Sequence, residues 1–353
     1  MTLLRTATAL CLCPTVVLAD PPKVVADFAP IHSLAAQVMN GVDEPDLLLP
    51  QGADPHGFQM RPSQMRALTD ADLLLWVGPS MSPWLERAIE SAAPDHSMAL
   101  LSLPETVKRE GGHDHDHGDD HDDHDDHSKD AHDDHDHEQH DEHADHVHEK
   151  HDEHADHDHD AHDEHDEHDE HKHDEHAEHA EGVDPHAWLS PKNAQIWLEA
   201  IAEELSEIDP GNAKIYHDNA HEAQEKIAAL DERIQARLAP VKGKGFVLFH
   251  DAFGYFSDYY ELNNLASIRE TDAAPPSAAQ LAEISEKIEH GEVACIFSEP
   301  AQGESQVLEL AKSAGTGTAV LDPSGASQEI GPMLYENLLW TAADTIATCL
   351  EGK

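Results

Sequence analysis

The 353-residue chain reads as an α/β protein of two lobes, each a mostly parallel sheet flanked by helices, with a long rigid helix joining them. Three observations carry this reading. Short apolar runs alternate with amphipathic stretches, as strands and covering helices do in a parallel sheet. The alternation occurs twice, once on each side of a segment written almost entirely in His, Asp and Glu. Between the two series lie helical stretches with no strand among them.

The first element is not part of the fold. Arg5 precedes the apolar run "ATALCLCPTVVLA", and Val17-Leu18-Ala19 closes it with a small residue before Asp20. Residues 1–19 are therefore expected to be a cleaved secretory signal, leaving a soluble exported protein. A lipoprotein signal at Cys11 or Cys13 is the rival, but Leu10 and Leu12 stand where a small residue belongs. No later stretch reaches the roughly 20 apolar residues of a membrane span. With Cys11 and Cys13 gone, Cys295 and Cys349 are an even pair in an oxidising compartment, and they are expected to be bonded, tying the last helix to a sheet.

The N-terminal lobe is assigned to residues 20–208. "KVVADF", "DLLLP", "DLLLWVG" and "MALLSL" read as its strands, and "PIHSLAAQVMN", "PSQMRALTDA" and "SPWLERAIESA" as its helices, two of them opened by a Pro or Ser start signal. After the His-rich segment, "PKNAQIWLEAIAEELSEI" reads as one helix, and Asp209-Pro210 marks a break. The linker, 209–240, contains a helix of about 28 residues, about 42 Å long at 1.5 Å per residue. Ile215, Ala223, Ile227, Leu230, Ile234 and Leu238 share one of its faces. The C-terminal lobe, 241–353, has strands "GFVLFH", "NLASI", "VACIFS" and "GTAVLD", with helices near 277–290, 302–314 and 331–350.

Residues 111–181 hold 24 of the 32 histidines, 32 carboxylates and three lysines. The apolar residues among them are alanines and Val147, too little burial to offset a backbone ordering cost of roughly 1–2 kcal/mol per residue, so the segment is expected to be a disordered insert. It supplies −29 of the formal charge of −52, and the remaining chain is acidic in its own right. Such a charge excludes nucleic acid and anionic lipid as partners and attracts cations.

Eight histidines lie outside the insert, and three of them sit in loops at element ends. His56 is in "PQGADPHGFQMRPSQ", His186 in "GVDPHAWLSP" and His250 in "GFVLFHDAFGYF". Ligands of open α/β folds collect at the carboxyl ends of strands, where these segments fall. Asp322 in "TAVLDPSG" ends another strand in the same way. The Asp-Pro-His at 54–56 recurs at 184–186, and the fixed φ of proline presents each imidazole on a stiff turn. A lone His before a turn is more often a structural residue than a ligand; the repetition is what raises these three. His217 and His221, an i, i+4 pair, fall on the polar face of the linker helix and read as solvated.

These segments, in this order on two α/β lobes, resemble the ZnuA-like zinc-binding receptors of bacterial ABC importers, a branch of the cluster 9 metal-binding solute-binding proteins. The motifs are "PHGFQMRPSQ", "DPHAWLSP", "FHDAFGYF" and "LDPSG", and the resemblance covers nearly all of the mature chain. It implies a metal held in the cleft between the lobes by His56, His186 and His250. Asp322 takes the family's carboxylate position, which either binds directly or leaves the fourth site to water. Some members carry Glu immediately before the first His, where this chain has Pro55. The manganese-specific branch carries Glu where this chain has His250, and imidazole suits zinc where manganese leans on carboxylates. The cargo is therefore expected to be Zn2+.

The resemblance implies a periplasmic monomer that binds zinc and docks on a membrane-embedded ABC permease with its cytoplasmic ATPase. A zinc chaperone that hands metal to an apoenzyme is the alternative on the same fold. Three imidazoles and an open zinc position also describe a hydrolase, but there is no His-Glu-x-x-His helix, and Glu299 in "FSEPAQGES" reads more readily as a structural acceptor than as a base. No enzymatic activity is expected. The insert offers overlapping pairs at His-x-His spacing, among them His113, His115, His117, His135, His137, His146, His148, His157, His159, His171 and His173. With no rigid shell around the ligands, each such site is expected to be weak, a secondary collector of zinc beside the cleft.

Overall fold

The computed structural model describes residues 20–92, 94–111, 182–269, 277–300 and 302–352. The signal assigned to 1–19 and the secondary ligand set from His113 to His173 lie outside the described residues.

Among the described residues, eight strands form two four-stranded parallel sheets. The first comprises β1 (Val24–Ala26), β2 (Asp46–Leu47), β3 (Leu73–Trp76) and β4 (His96–Ala99), in the order β2-β1-β3-β4. The second comprises β5 (Gly245–His250), β6 (Asn264–Arg269), β7 (Val293–Ser298) and β8 (Gly317–Val320), in the order β6-β5-β7-β8. Each order reverses between its two central strands, so each sheet has a switch point where a crevice opens at the strand ends.

The central strands β1, β3, β5 and β7 are buried on both faces, which is why they read as near-continuous apolar runs. In β3, Leu73 and Leu75 face one core while Leu74 and Trp76 face another; in β5, Phe246 and Leu248 part from Val247 and Phe249 in the same way. The outer faces are covered by α2 (Pro62–Thr69) and α3 (Pro83–Ala92) in the first lobe, and by α7 (Ala278–Glu289) and α8 (Glu304–Ala314) in the second. The inner faces share one continuous core with α1 (Ala29–Val38), α4 (Pro191–Ile208), α5 (Ala213–Leu238) and α9 (Leu334–Glu351). A short helix, α6 (Gly254–Tyr260), follows β5.

Helix starts follow the sequence signals. Pro191 opens α4 behind Ser190, whose hydroxyl accepts from the Asn193 amide, and Pro62 opens α2 behind a capping pair in which Gln64 accepts from the Arg61 amide. Helix α5 has 26 residues and runs between the two strand series. It is less solitary than a connector, since it packs on α1, α4 and α9. Ile215 is exposed rather than part of its buried face, which is Tyr216, Ala220, Ala223, Ile227, Leu230, Ile234 and Leu238. His217 and His221 lie near Glu199 and Glu225 on its polar side.

Two further boundaries differ from expectation. "MALLSL" is the end of β4 followed by a 3-10 turn at Leu100–Ser102, which brings Leu100 and Leu101 into the shared core. In "DLLLP" the ladder ends at Leu47, although the Leu48 and Leu49 amides still donate to Ala26 and Asp27. Cys295 in β7 and Cys349 in α9 are bonded, with Cα atoms 6.0 Å apart. Among the described residues, no helix is long and apolar enough to cross a membrane.

Candidate metal centre

The two Asp-Pro-His segments fold by the same device. Asp54 Oδ1 accepts from the His56 amide at 2.9 Å, and Asp184 Oδ1 accepts from the His186 amide at 2.9 Å. Each is an Asx turn, so the aspartate side chain, as much as the proline ring, holds the imidazole in place. Trp84 Nε1 donates to the Pro55 carbonyl at 2.6 Å and fixes the first turn from α3. His250 is the last residue of β5, the central strand beside the second lobe's switch point.

These turns bring His56, His186 and His250 to one cavity of about 290 Å3, lined also by Asp54, Met81, Trp188, Glu299, Pro323 and Ser324. The His186 ring centroid lies 5.1 Å from that of His250 and 5.8 Å from that of His56. His186 and His250 are buried, whereas His56 is half-buried on its loop. Among the described residues, no three His, Cys, Asp or Glu side chains are already gathered to grip a single ion. Two of them nearly are. The Nε2 atoms of His186 and His250 stand 3.3 Å apart.

Carboxylates set the orientation of both rings. His186 Nδ1 donates to Asp184 Oδ1 at 2.8 Å, and His250 Nδ1 donates to Glu299 Oε1. A carboxylate on Nδ1 fixes the proton there and turns the Nε2 lone pair toward the cavity, as in a metal-ligating histidine. Burial pushes the Asp184 carboxyl up, but the hydrogen bond and charge of His186, with Arg109, outweigh it and hold the group below the usual aspartate value. Burial also raises the Asp251 carboxyl, and the Arg109 guanidinium offsets only part of that rise.

Asp322 follows β8 but stands apart from the cavity lining and is engaged with its own loop. Its Oδ1 accepts from the Ser324 amide and hydroxyl and the Gly325 amide, and its Oδ2 from the Ser327 amide and hydroxyl, at 2.8–3.1 Å. The carboxylate thus organises the 322–327 loop, whose carbonyls receive Trp188 Nε1 at Pro323 and Gln51 Nε2 at Gly325. The carboxylates in the cavity lining are Asp54 and Glu299, and Glu299 also holds His250. A strand-end Glu was visible in the sequence, but its partner was not. Arg109, which contacts Asp184 and Asp251, carried no sequence signal beyond its nearness to the insert.

Residues 24–349 match the family described as zinc-uptake complex component A, periplasmic, or ZnuA. The high-affinity zinc uptake system protein ZnuA of Paracoccus denitrificans (strain Pd 1222) is 44% identical over 334 residues, 94% of this chain and 93% of that protein. Its counterpart in Brucella abortus (strain 2308) is 36% identical over 333 residues, 93% and 91% of the two chains. A crystal structure of ZnuA superimposes with a TM-score of 0.66 at 19% identity, covering 94% of this chain and all of the other. The manganese complex of the solute-binding protein FpvC from Pseudomonas aeruginosa gives 0.66 at 18%, covering 94% and 99%. At such identities the two structures show the fold alone. The family match and the two relatives show more: this chain belongs to the ZnuA family, the periplasmic component A of zinc-uptake complexes.

Proposed function

We propose that this chain captures Zn2+ in the periplasm through His56, His186 and His250 and delivers it to a membrane-embedded ABC permease driven by a cytoplasmic ATPase. One observation carries the reading. Two imidazoles bound to one tetrahedral zinc, at Zn–N distances of about 2.0–2.1 Å, have nitrogens about 3.3–3.4 Å apart. The His186 and His250 Nε2 atoms stand 3.3 Å apart, with both Nδ1 atoms anchored on carboxylates. His56, on the more exposed loop, completes the set, and the fourth position is left to water. Copper and nickel would also bind three imidazoles, so selectivity rests on geometry and availability.

In this reading 1–19 is the export signal, 20–208 and 241–353 are the two lobes, and 209–240 links them. The protein acts as a monomer. The segment 111–181 gathers zinc weakly beside the cleft. A receptor is favoured over a hydrolase because both carboxylates lining the cavity are already engaged, Glu299 with His250 Nδ1 and Asp54 with the His56 amide.

The test is a zinc titration of the mature protein against a competing chelator. His56→Ala, His186→Ala and His250→Ala should each abolish or strongly weaken a single tight site. Tight 1:1 binding retained in all three variants would remove the assignment.

A further inference from the structure

The insert leaves and re-enters the fold through a short closed stem. Glu110 and Val183 form an isolated antiparallel bridge, the Gly111 amide donates to the Gly182 carbonyl, and the Asp184 amide donates to the Arg109 carbonyl at 2.9 Å. Arg109 is therefore the last stem residue before the bridge on one side, and Asp184 the first after it on the other.

The side chain of Arg109 does not turn to solvent. Its Nη1 donates to Asp184 Oδ2 and to Asp251 Oδ2, both at 2.8 Å, and its Nε donates to Asp258 Oδ2 at 3.0 Å. Asp184 and Asp251 are the carboxylates next to the two facing histidines, two residues before His186 and one after His250. The Arg109 amide donates to Tyr255 Oη at 2.8 Å, and that hydroxyl donates to the Asp184 carbonyl at 3.0 Å. Helix α6 begins with Gly254, and a Cβ there would collide with the Arg109 guanidinium. The second lobe thus makes room for this group and meets it with Asp251 and Asp258, while Tyr255 holds the Arg109 backbone.

Asp184 is consequently held at both oxygens. Oδ2 receives Arg109, which leaves Oδ1 aimed at the His186 amide and ring. Without the guanidinium, Asp184 is free to rotate toward other donors, and the half-buried Asp251 loses its cation. We propose that Arg109 is a positioning residue for the metal: from the stem of the His-rich segment, its guanidinium clamps the carboxylates beside His186 and His250, fixing the His186 tautomer and the separation of the two rings. This rests on the zinc-site reading above.

The experiment uses the full mature chain. Chelator competition reads the tight-site affinity, and two-bond 1H–15N spectra of the metal-free protein read ring tautomers, with the His186 signals assigned by their loss in His186→Ala. Wild type should show His186 protonated at Nδ1. Arg109→Gln should mix the tautomers and weaken the tight site roughly 10–100-fold. Arg109→Lys, which keeps the charge and one contact, should recover part of both, and it carries the test if the Gln variant does not fold. Combining Arg109→Gln with Asp184→Asn should weaken binding no further than Asp184→Asn alone. Wild-type affinity and tautomer in both Arg109 variants, or full additivity with Asp184→Asn, would overturn the proposal. Tight binding retained in His186→Ala would instead overturn the zinc-site reading beneath it.

Discussion

Replacing Cys295 and Cys349 together by Ser separates the stability of the fold from the chemistry of the site. The bridge closes a loop of 54 residues between β7 and α9. Chain-entropy reasoning assigns a loop of that length about 14 cal/mol/K of lost freedom in the unfolded state, or about 4 kcal/mol at 25 °C. An unfolding entropy of about 2.1 cal/mol/K per residue over about 250 described residues gives about 0.5 kcal/mol/K, so the melting temperature should fall by about 8 °C. Both cysteines are buried in the shared core, which makes the figure a lower bound once two hydroxyls replace them. Calorimetry of the two proteins under oxidising conditions measures it. The zinc stoichiometry should be unchanged, since neither cysteine lines the cavity. A shift under about 2 °C, or free thiols titrating in the unreduced wild type, would refute the reasoning.

Three other outcomes are expected. Asp322→Ala removes five accepted hydrogen bonds from one loop, so it should lower the melting temperature and weaken zinc binding only modestly, with the zinc ligand spectrum unchanged; an altered ligand set would make Asp322 a ligand. Asp27, buried beneath the Phe28 and Val77 amides, has its carboxyl pushed by burial up to about 7. A raised folded pKa favours the protonated native state, so this residue's contribution to stability is full below about pH 4 and is lost as pH rises through about 7. Urea unfolding of wild type minus Asp27→Asn should show that decline, and a flat difference curve would contradict it. Deleting residues 113–179 should remove a multiple, weak class of zinc sites, and with it occupancy that falls away in acid near the ordinary imidazole pKa of about 6.5; loss of the single tight site would place a primary ligand in the insert.

What could be read in advance follows period and position. The strands "GFVLFH" and "VACIFS" are the observed β5 and β7, residue for residue, because a strand buried on both faces is apolar throughout and its ends are marked by Gly, His or Ser. The end of β4 was misjudged because a 3-10 turn of leucines has the same composition as a buried strand. On α5 the face was drawn one residue off at its start: Tyr216, a buried aromatic hydrogen-bonded to Asp209, takes the place given to Ile215. The three histidines were legible because two of them repeat a motif whose turn is local, Asp to His two residues on. Glu299, Arg109 and the loop-building role of Asp322 depend on contacts across 49, 75 and 142 positions of sequence or on side chains curling back on their own loop. No spacing rule encodes those.

The most direct measurement on the central claim is zinc-edge X-ray absorption of the mature protein carrying one equivalent of zinc. Three imidazole nitrogens at about 2.0–2.1 Å with one oxygen completing a four-coordinate shell are expected, and the imidazole signature should fall in His56→Ala, His186→Ala and His250→Ala. A shell with fewer than three imidazoles, or one that none of the three substitutions alters, would show that the first zinc binds elsewhere.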